Sequence, residues 1–388
     1  MEKPCYISDC MSVDTSLMPT GRVYEALARR IRTSIRESGM GMGAMVGTEQ
    51  DLARKEGVSR MTVRRASELL INEGLLERRP GKGLYVRTPS TSTKSIQVVV
   101  GNLLWEPCLQ MSRGVQAAAR GVGLHVQIYD AHGDADLDLA LVDQLPNSGA
   151  KGAVIAALHG PRFCDAICRL HASGFPFVIL DQRMRDIQVP SVTADNHGGG
   201  HQIGKMLLDL GHRRIAFIGD LIASSVQERL EGLRDAIWDA GLPFSRNLIV
   251  DLLCGVDRFG DWSSFTADGV KRLMALPVDQ RPTAIFCSCD SIAAHTYTAL
   301  AEMGLSIPGD VSVVGFDDDA IAAQLRPGLT SARQPFLEMG QVAMDILEQR
   351  LRQPTGPAER RIMPVELVHR QSVAPPPAEA RVVPVAEG

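Results

Sequence analysis

The sequence predicts two domains of different fold class: a small α+β domain, followed by a large α/β domain built on parallel sheets. Three observations support this prediction. At 388 residues the chain is too long for one ordinary hydrophobic core. Its N-terminal part has the periodicity of helices followed by a short alternating pattern, and the rest alternates apolar strands with amphipathic helices. A composition of 45% hydrophobic and 22% charged residues is typical of a globular protein.

The first two helices of the small domain are predicted from spacing and capping. Over residues 24–37 apolar residues recur on one helix face, opposite several arginines: Leu27, Ile31 and Ile35. After the break GMGMGAMVG, Thr48 stands at an N-cap position and residues 49–56 form a short second helix. Gly57 then supplies the turn.

A third helix and a hairpin complete the small domain. Ser59 caps the helix SRMTVRRASELLINE, and Gly74 is the expected C-cap. The inward face of this helix is predicted to consist of Val63, Ala66, Leu69 and Leu70. The stretch LLERRPGKGLYV then alternates as two short strands around the turn PGKG. Three helices followed by a hairpin make a winged helix-turn-helix.

The charge distribution points to a phosphate-rich partner for this domain. Residues 22–87 carry 14 lysines and arginines against eight carboxylates, a net charge of +6, and the rest of the chain carries −10. In a helix-turn-helix the first turns of the third helix meet the major groove, and here they carry Arg60, Thr62, Arg64 and Arg65. Lys82, between Gly81 and Gly83, lets the hairpin tip approach the DNA backbone closely. The alternative, a merely solvated helix face, is disfavoured because helix, turn, helix and wing occur in order.

The large domain is predicted to have two doubly wound lobes. The strand candidates IQVVVG, LHVQIYD, GAVIAA, FVILD, RIAFIG, NLIVD, AIFCSC and VSVVGFDD alternate with helical segments such as SRGVQAAARGVG, CDAICRLHASG and HQIGKMLLDLG. The segment RIMPVELVHRQSV is expected to form a closing strand pair. The predicted division is an extension of disordered residues (1–20), the winged helix (21–88), a linker (89–95), the two-lobed effector and dimerisation domain (96–374) and a Pro-rich disordered tail (375–388).

The run TEQDLARKEGVSRMTVRRASELLINEGLLERRPGKGLYV resembles the GntR-type winged helix. By this resemblance the DNA-contacting positions are Gln50, Arg60, Thr62 and Arg64, and residues 81–83 form the wing tip. Ser59, Arg65 and Lys82 complete the candidate DNA-binding set. Gln50 departs from the arginine that several relatives have, which weakens one phosphate contact. The resemblance implies a dimer on a short palindromic operator of double-stranded DNA.

From about Ile96 to Val373 the chain resembles the family of the lac repressor and the periplasmic sugar-binding proteins, through VILDQR, VPSVTADN, LDLGHRRIAFIGD, ERLEGLRDA, GDWSS, AIFCSCDSIA, IPGDVSVVGFDD and LTSARQPF. The positions that line the effector cleft are by this resemblance Asp181, Ser225, Arg229, Trp262 and Asp317. Carboxylates and a guanidinium hydrogen-bond hydroxyls, and an indole packs on a sugar ring, so a sugar or polyol is favoured. Cys289 replaces an Asn that is frequent in sugar-responsive relatives. In the alternative structural interpretation, Asp290 only caps a helix and Trp262 only fills a surface groove.

Several weaker signals are judged to be coincidental. The run GGHQIGK matches most of a phosphate-binding loop but continues with Met206, where that pattern needs Ser or Thr. His197 with His201, and Cys164 with Cys168, have helical i,i+4 spacing but lack the further ligands of a metal site. We therefore expect no metal, no cofactor and no catalytic residues. An aminotransferase-like enzyme domain, which some GntR-type regulators carry, is disfavoured because the large domain is too short and lacks its pattern.

Together the two resemblances imply a DNA-binding transcriptional regulator whose operator affinity is controlled by a small effector, favoured to be a sugar, bound between the lobes. A repressor is favoured over an activator. The main alternative keeps this architecture and changes the effector to a non-sugar ligand such as a purine or a sugar phosphate. A solute-binding transport receptor is disfavoured by the missing signal peptide and the basic winged helix. Eight scattered cysteines and the lack of a membrane span indicate a cytoplasmic protein. A homodimer is expected, and a tetramer is the alternative.

Overall fold

The computed structural model of the chain describes residues 20–38, 40–41, 43–72, 75–79, 81–86, 94–156, 161–184, 187–252, 262–354 and 356–378. The predicted cap Gly74, nearly all of the predicted N-terminal extension, residues 89–93 of the predicted linker and the end of the predicted tail lie outside the described residues. The chain forms two compact units, and the second begins at Lys94.

The small unit has the predicted order of helices and hairpin. Its elements are α1 (Thr20–Glu37), β1 (Met45–Gly47), α2 (Glu49–Glu56), α3 (Arg60–Asn72), β2 (Leu76–Arg79) and β3 (Gly83–Val86). Thr48 caps α2 as predicted, because its Oγ1 accepts a hydrogen bond of 3.1 Å from the backbone N–H of Asp51. Gly57 ends α2 with φ of 65°, a left-handed conformation that favours glycine.

The core of the small unit packs α1 and α3 against the hairpin. The buried side chains include Leu27, Ile31, Ile35, Val63, Ala66 and Leu70, as predicted. Leu69, which was also expected to point inward, is only partly buried. Strand β1 was not predicted: it lies in the glycine- and methionine-rich break and pairs antiparallel with β3, which gives the sheet order β1-β3-β2. A three-residue strand has no alternating pattern of its own, and its pairing with β3 is a tertiary contact.

The large unit contains the remaining elements. In chain order they are β4 (Ser95–Val100), α4 (Glu106–Gly121), β5 (His125–Asp130), α5 (Ala135–Gln144), β6 (Ala153–Ala156), α6 (Pro161–Ala172), β7 (Phe177–Leu180), β8 (Ser191–Ala194), α7 (Asn196–Asp209), β9 (Ile215–Gly219), α8 (Ser224–Asp239), β10 (Ile249–Asp251), α9 (Ser263–Met274), β11 (Ala284–Cys287), α10 (Asp290–Glu302), β12 (Ser312–Asp317), α11 (Ala320–Gln324), β13 (Thr330–Arg333), α12 (Phe336–Arg352), β14 (Arg360–Met363) and β15 (Glu366–Val368).

These elements build two lobes, each around one six-stranded sheet. Lobe 1 has the strand order β14-β8-β7-β6-β4-β5 and is parallel throughout. Lobe 2 has the order β10-β9-β11-β12-β13-β15, in which only β15 runs antiparallel to its neighbour. In lobe 1, α4 and α12 cover one face of the sheet and α5 and α6 the other. The inner strands are therefore buried on both faces, which explains their continuous apolar runs.

The chain passes between the lobes three times. It leaves lobe 1 between β8 and α7, returns between β13 and α12, and crosses again between β14 and β15. The expected closing strand pair is therefore wrong in its pairing: both strands exist, but β14 joins β8 of lobe 1 and β15 joins β13 of lobe 2. Sequence pattern identifies a strand without identifying the sheet edge that it meets, because pairing is decided by the tertiary structure.

Candidate DNA-binding surface and effector cavity

The start of α3 is fixed by Ser59, one of the predicted DNA-binding residues. Its Oγ accepts a hydrogen bond of 3.1 Å from the N–H of Thr62 and lies 2.8 Å from the Thr62 hydroxyl. Thr62 is half-buried and takes part in this cap, whereas Arg60 and Arg65 are exposed. The structure therefore gives Ser59 and Thr62 a capping role and leaves the arginines accessible to a ligand.

Arg64 of the same helix is exposed and has an exposed partner. Its Nε lies 3.2 Å from Oε1 of Glu68, with side chains 56% and 50% exposed. An exposed i,i+4 pair of this kind contributes only about 0.3–0.5 kcal/mol. The guanidinium of Arg64 can therefore turn toward a base edge at little energetic cost. Gln50 is likewise exposed, in the first turn of α2.

The tip of the β2–β3 hairpin has the backbone that its glycines were expected to provide. Gly81 and Gly83 have φ of 70° and 115°, and the N–H of Lys82 donates to the carbonyl of Arg79 over 2.9 Å. A Cβ on Gly83 would lie 2.9 Å from the carbonyl oxygen of Gly47 in β1, so a side chain there has no room. Lys82 is exposed at this turn.

A cavity of about 330 Å³ lies between the two lobes of the large unit. Its lining contains all six predicted effector-binding residues: Asp181, Ser225, Arg229, Trp262, Cys289 and Asp317. Asp181 follows β7 of lobe 1, and the other five belong to lobe 2. Most of the six lie where a strand ends or the next helix begins, which is where ligands bind in open parallel sheets.

Arg229 is the centre of a buried network at this cavity. Its Nε donates to Oδ1 of Asn196 over 2.8 Å, its Nη1 donates to the carbonyl of Ser288, and its guanidinium lies 3.9 Å from the centre of the Phe316 ring. Nη1 also lies 3.6 Å from Oδ1 of Asp317. The same Oδ1 accepts a hydrogen bond of 2.6 Å from Nε2 of Gln334. These contacts hold the guanidinium in one orientation.

Two aspartates of the cavity have backbone conformations that non-glycine residues rarely adopt. Asp181 has φ of 57° and Asp317 has φ of 109°. Such conformations are strained and cluster at ligand-binding sites. Burial raises the pKa of Asp181 to about 6, although the charge of Arg229 acts in the opposite direction. Burial also raises the pKa of Asp317 well above its usual range, and that of the Cys289 thiol likewise, so the thiol is neutral.

Two tryptophans meet at the cavity, one from each lobe. Trp105 precedes α4 and Trp262 precedes α9, and their ring centroids lie 6.1 Å apart at an interplanar angle of 24°. Trp262 is half-buried in this stack and also lines the cavity. Trp105 was not predicted, although a tryptophan immediately before the first helix of an α/β lobe was a usable signal.

Both units match families of known proteins. Residues 23–86 match the family of bacterial regulatory proteins, gntR family, and residues 205–373 match the periplasmic binding protein-like domain. The HTH-type transcriptional regulator MalR of Streptomyces coelicolor is 30% identical over 243 residues, which cover 62% of this chain and 69% of that protein. The chain belongs to the LacI-type transcriptional regulators. Its DNA-binding unit is of the GntR type.

Other relatives of this regulator have names that mention sugars. The ribose operon repressor of Haemophilus influenzae is 32% identical over 205 residues, which cover 52% of this chain and 58% of that repressor. The arabinose metabolism transcriptional repressor of Geobacillus stearothermophilus is 27% identical over 339 residues, covering 85% and 91%. A crystal structure of a LacI family regulator from Enterococcus faecium with bound ribose is 26% identical, with a TM-score of 0.61, and covers 72% of this chain and 99% of that one.

The regulator places further polar residues at the cavity that were not predicted. They include Glu106, Gln182, Asp220 and Asp319. Asp290, for which a capping role was one alternative, is absent from the described lining and is fully buried at the start of α10. Its Oδ2 accepts from the N–H of Asp319 over 2.8 Å and its Oδ1 accepts from the hydroxyl of Ser331 over 2.7 Å. Asp290 therefore holds neighbouring loops together.

Two of the signals judged coincidental have structural explanations. The run GGHQIGK lies within helix α7, so it cannot form a phosphate-binding loop. His197 and His201 on α7 face Asp235 and Asp239 on α8, at 2.9 and 3.0 Å. Within the described parts of the chain, no three His, Cys, Asp or Glu side chains are grouped so that they could hold a metal ion. No described helix is long and apolar enough to span a bilayer.

Proposed function

We propose that this regulator is a repressor whose affinity for its operator is set by a single sugar molecule bound between the lobes. The observation that supports this best is the cavity itself, in which carboxylates, one guanidinium and two indoles face a space of about 330 Å³. Ligand pockets span roughly 300–1,000 Å³, so a space at the lower end suits one monosaccharide ring. The sugar-named relatives and the bound ribose in the Enterococcus faecium regulator support the same class of ligand.

The charge of the lining argues against a sugar phosphate. Five carboxyl groups line the cavity, from Glu106, Asp181, Asp220, Asp317 and Asp319. In the described lining Arg229 is the one cationic side chain, and its Nε and Nη1 already donate to neighbouring residues. A phosphate monoester brings a charge of about −1.5 to −2 at neutral pH. Placing that charge beside buried carboxyls is unfavourable, whereas neutral hydroxyls hydrogen-bond to them.

The network around Arg229 suggests how the ligand signal reaches the hinge. Asn196 begins α7, directly after the first crossing between the lobes, and Gln334 lies in the second crossing. Asn196 bonds Arg229, and Gln334 bonds Asp317. A sugar that hydrogen-bonds either member of this pair changes the atoms that hold the crossings, and so shifts the lobe angle. A coupling of roughly 1–3 kcal/mol to DNA binding is the general range for such systems.

The DNA-binding role of the small unit is assigned to the start of α3, Gln50 and the hairpin tip. We expect a homodimer that reads the two halves of a palindromic operator, because a symmetric dimer presents two recognition helices. The chain then acts in the cytoplasm, where chromosomal DNA lies, and it needs no cofactor or metal. The relatives are regulators, and we expect turnover assays on candidate sugars to detect no product.

Two measurements test this function. In the first, the melting temperature of the purified protein is recorded with pentoses, hexoses, sugar phosphates and purine nucleosides, because a ligand that binds only the native state raises it. We expect a rise with one sugar that is lost in Asp317→Ala and kept in Asp136→Ala, where the exposed carboxylate lies away from the cavity. A rise with a purine or a sugar phosphate, and with no neutral sugar, overturns the ligand class.

The second measurement is the affinity for DNA with and without that ligand. Fluorescence anisotropy with a duplex selected by the protein from a random pool gives the dissociation constant. We expect a change of about 5- to 150-fold on saturation with the sugar. An unchanged dissociation constant at saturating ligand overturns the regulatory role and leaves DNA binding and sugar binding as separate properties.

A further inference from the structure

One part of the effector cavity has negative charge from both lobes. Glu106 begins α4 in lobe 1, and Asp319 precedes α11 in lobe 2. Both are half-buried and both line the cavity. The two residues line the same cavity from opposite lobes, and the charge of Glu106 is one of those that raise the pKa of Asp319. Two like charges from opposite lobes oppose closure unless a cation lies between them.

The arginine of the cavity makes its close contacts with other residues, although its charge opposes the rise in the pKa of Asp319. Arg229 is engaged by Asn196, by the carbonyl of Ser288 and by Asp317. Burial, followed by the neighbouring charges of Asp290 and Glu106, raises the pKa of Asp319 to about 7, and burial raises that of Asp220 to about 6. Shifts in this direction identify carboxyls whose charge is poorly compensated in the cavity. A positively charged ligand group would compensate it.

The aromatic pair lines the same cavity as these carboxyls. Trp105 immediately precedes Glu106, and its ring stacks with that of Trp262 from the other lobe. The faces of tryptophan rings attract ammonium groups, and carboxylates next to them add charge-assisted hydrogen bonds. A neutral sugar uses the ring faces and leaves Glu106 and Asp319 without a cation. An amine uses both.

We propose that the effector is an amino sugar, or a polyol amine of the same size, whose ammonium group lies between Glu106 and Asp319 against Trp105. This inference rests on the proposed function, since it specifies the class of sugar that the same cavity takes. The ammonium joins carboxylates of both lobes, so its charge favours the closed arrangement directly. Hydroxyl groups of the ligand bond to Asp181, Arg229 and Asp317.

The test compares three matched series by isothermal titration of the full-length protein at pH 7. The amines are D-glucosamine, D-galactosamine, D-mannosamine and the aminopolyol D-glucamine. The neutral counterparts are the parent hexoses with D-glucitol, and the N-acetyl hexosamines, which keep the nitrogen and lose its charge. We expect one amine to bind at least about tenfold more tightly than its parent and its acetylated form, the size of one charge-assisted hydrogen bond.

Variants decide whether the carboxyl pair is responsible for the preference for the amine. Glu106→Gln and Asp319→Asn keep the size of each side chain, and each is expected to reduce the affinity for the amine about tenfold and that for the parent sugar less than twofold. Asp136→Asn, an exposed carboxylate of lobe 1, is the matched control and is expected to change neither. A preference for the amine that survives both cavity variants overturns the proposal.

The series also separates this inference from the proposed function. If a neutral sugar binds and its amine binds equally or more weakly, the proposed amine effector is overturned. The proposed function as a sugar-responsive regulator is then unaffected. If no member of the three series binds, while a purine nucleoside or a sugar phosphate does, both the amine and the sugar class are overturned. Tighter binding of one amine, lost in Glu106→Gln and Asp319→Asn, supports both.

Discussion

The guanidinium of Arg229 and the carboxylate of Asp317 lie 3.6 Å apart, and the two side chains are only 4% and 8% exposed. Each of them is also bonded to a residue at a crossing between the lobes, Arg229 to Asn196 and Asp317 to Gln334. The same pair lines the effector cavity. One buried contact thus belongs to the structure of lobe 2, and under the proposed function it also connects the ligand with the hinge.

Removal of Arg229 is expected to destabilise the protein strongly. Arg229→Ala leaves Asp317 buried without its cation and breaks the bond to Asn196, so we expect the free energy of unfolding to fall by about 3–5 kcal/mol. Urea unfolding measures this change. Arg352→Ala, which removes a mostly exposed arginine paired with Glu348, is the control and should cost less than about 1 kcal/mol. Equal losses in the two variants contradict the role of the buried pair.

Substitution of Gly83 is expected to disturb the wing. In Gly83→Ala a residue with φ of 115° gains a Cβ that lies 2.9 Å from the Gly47 carbonyl, so β1 and β3 must separate. We expect a loss of about 1–3 kcal/mol and a lower melting temperature. Gly121→Ala, at the end of α4 with no atom within 4 Å of the new Cβ, should change stability by about 0.5 kcal/mol or less. An unaffected Gly83→Ala protein means that the close β1–β3 packing is not present in solution.

The buried carboxyl of Asp220 makes a pH-dependent contribution to stability. Its pKa is raised from 3.8 to about 6, chiefly by burial, so the folded state holds this proton more tightly than the unfolded state does. The associated stability is complete below pH 3.8 and is lost as the pH rises through 6. Asp220→Asn should therefore be more stable than the natural protein at pH 7, by up to about 3 kcal/mol, and similar to it at pH 3.5. A difference that does not vary with pH excludes titration of Asp220 as its cause.

Lys82 is expected to contact a phosphate. On a duplex of arbitrary sequence, Lys82→Ala should weaken binding and reduce the slope of log K against log salt by about one. Anisotropy titrations between 50 and 200 mM salt, a range of about fourfold, measure this slope. Lys271→Ala, an exposed lysine in the last turn of α9, is the control. An unchanged slope in Lys82→Ala removes the hairpin tip from the interface.

Arg64 is expected to read a base. On the duplex selected from a random pool, Arg64→Ala should cost about 1–3 kcal/mol and relax sequence preference at one position of each half-site. Glu68→Ala, which releases the same guanidinium from its partner, should bind at least as well as the natural protein. If Arg64→Ala loses affinity equally for all sequences, the residue contacts a phosphate and the base contact belongs to a neighbouring arginine.

Much of the fold could be predicted because buried positions recur along the sequence with the period of a helix or a strand. The inward faces of α1 and α3, the cap at Thr48 and the apolar strands of both lobes all leave a local pattern. Strand β1 leaves none, since three residues become a strand only by pairing with β3. The partners of β14 and β15 were missed for a related reason, because adjacent strands in the sequence usually pair and here the two join different sheets.

The effector site was predicted only where family motifs covered it. Asp181, Arg229 and Asp317 lie in such motifs, and the structure places them together at the cavity. Trp105 and Glu106 lie outside the motifs and reach the cavity because α4 begins at its edge. Local sequence does not reveal which helix N-terminus faces a cleft between two lobes. Contact with ligand, for all of these residues, stays a prediction.

The three crossings between the lobes have a consequence for how this domain can be divided. Neither lobe is a continuous stretch of chain, since lobe 1 takes α12 and β14 from beyond the body of lobe 2. A stop codon before residue 360 would strip an edge strand from each sheet at once. The two halves therefore cannot be cloned apart or exchanged between relatives by a single recombination event.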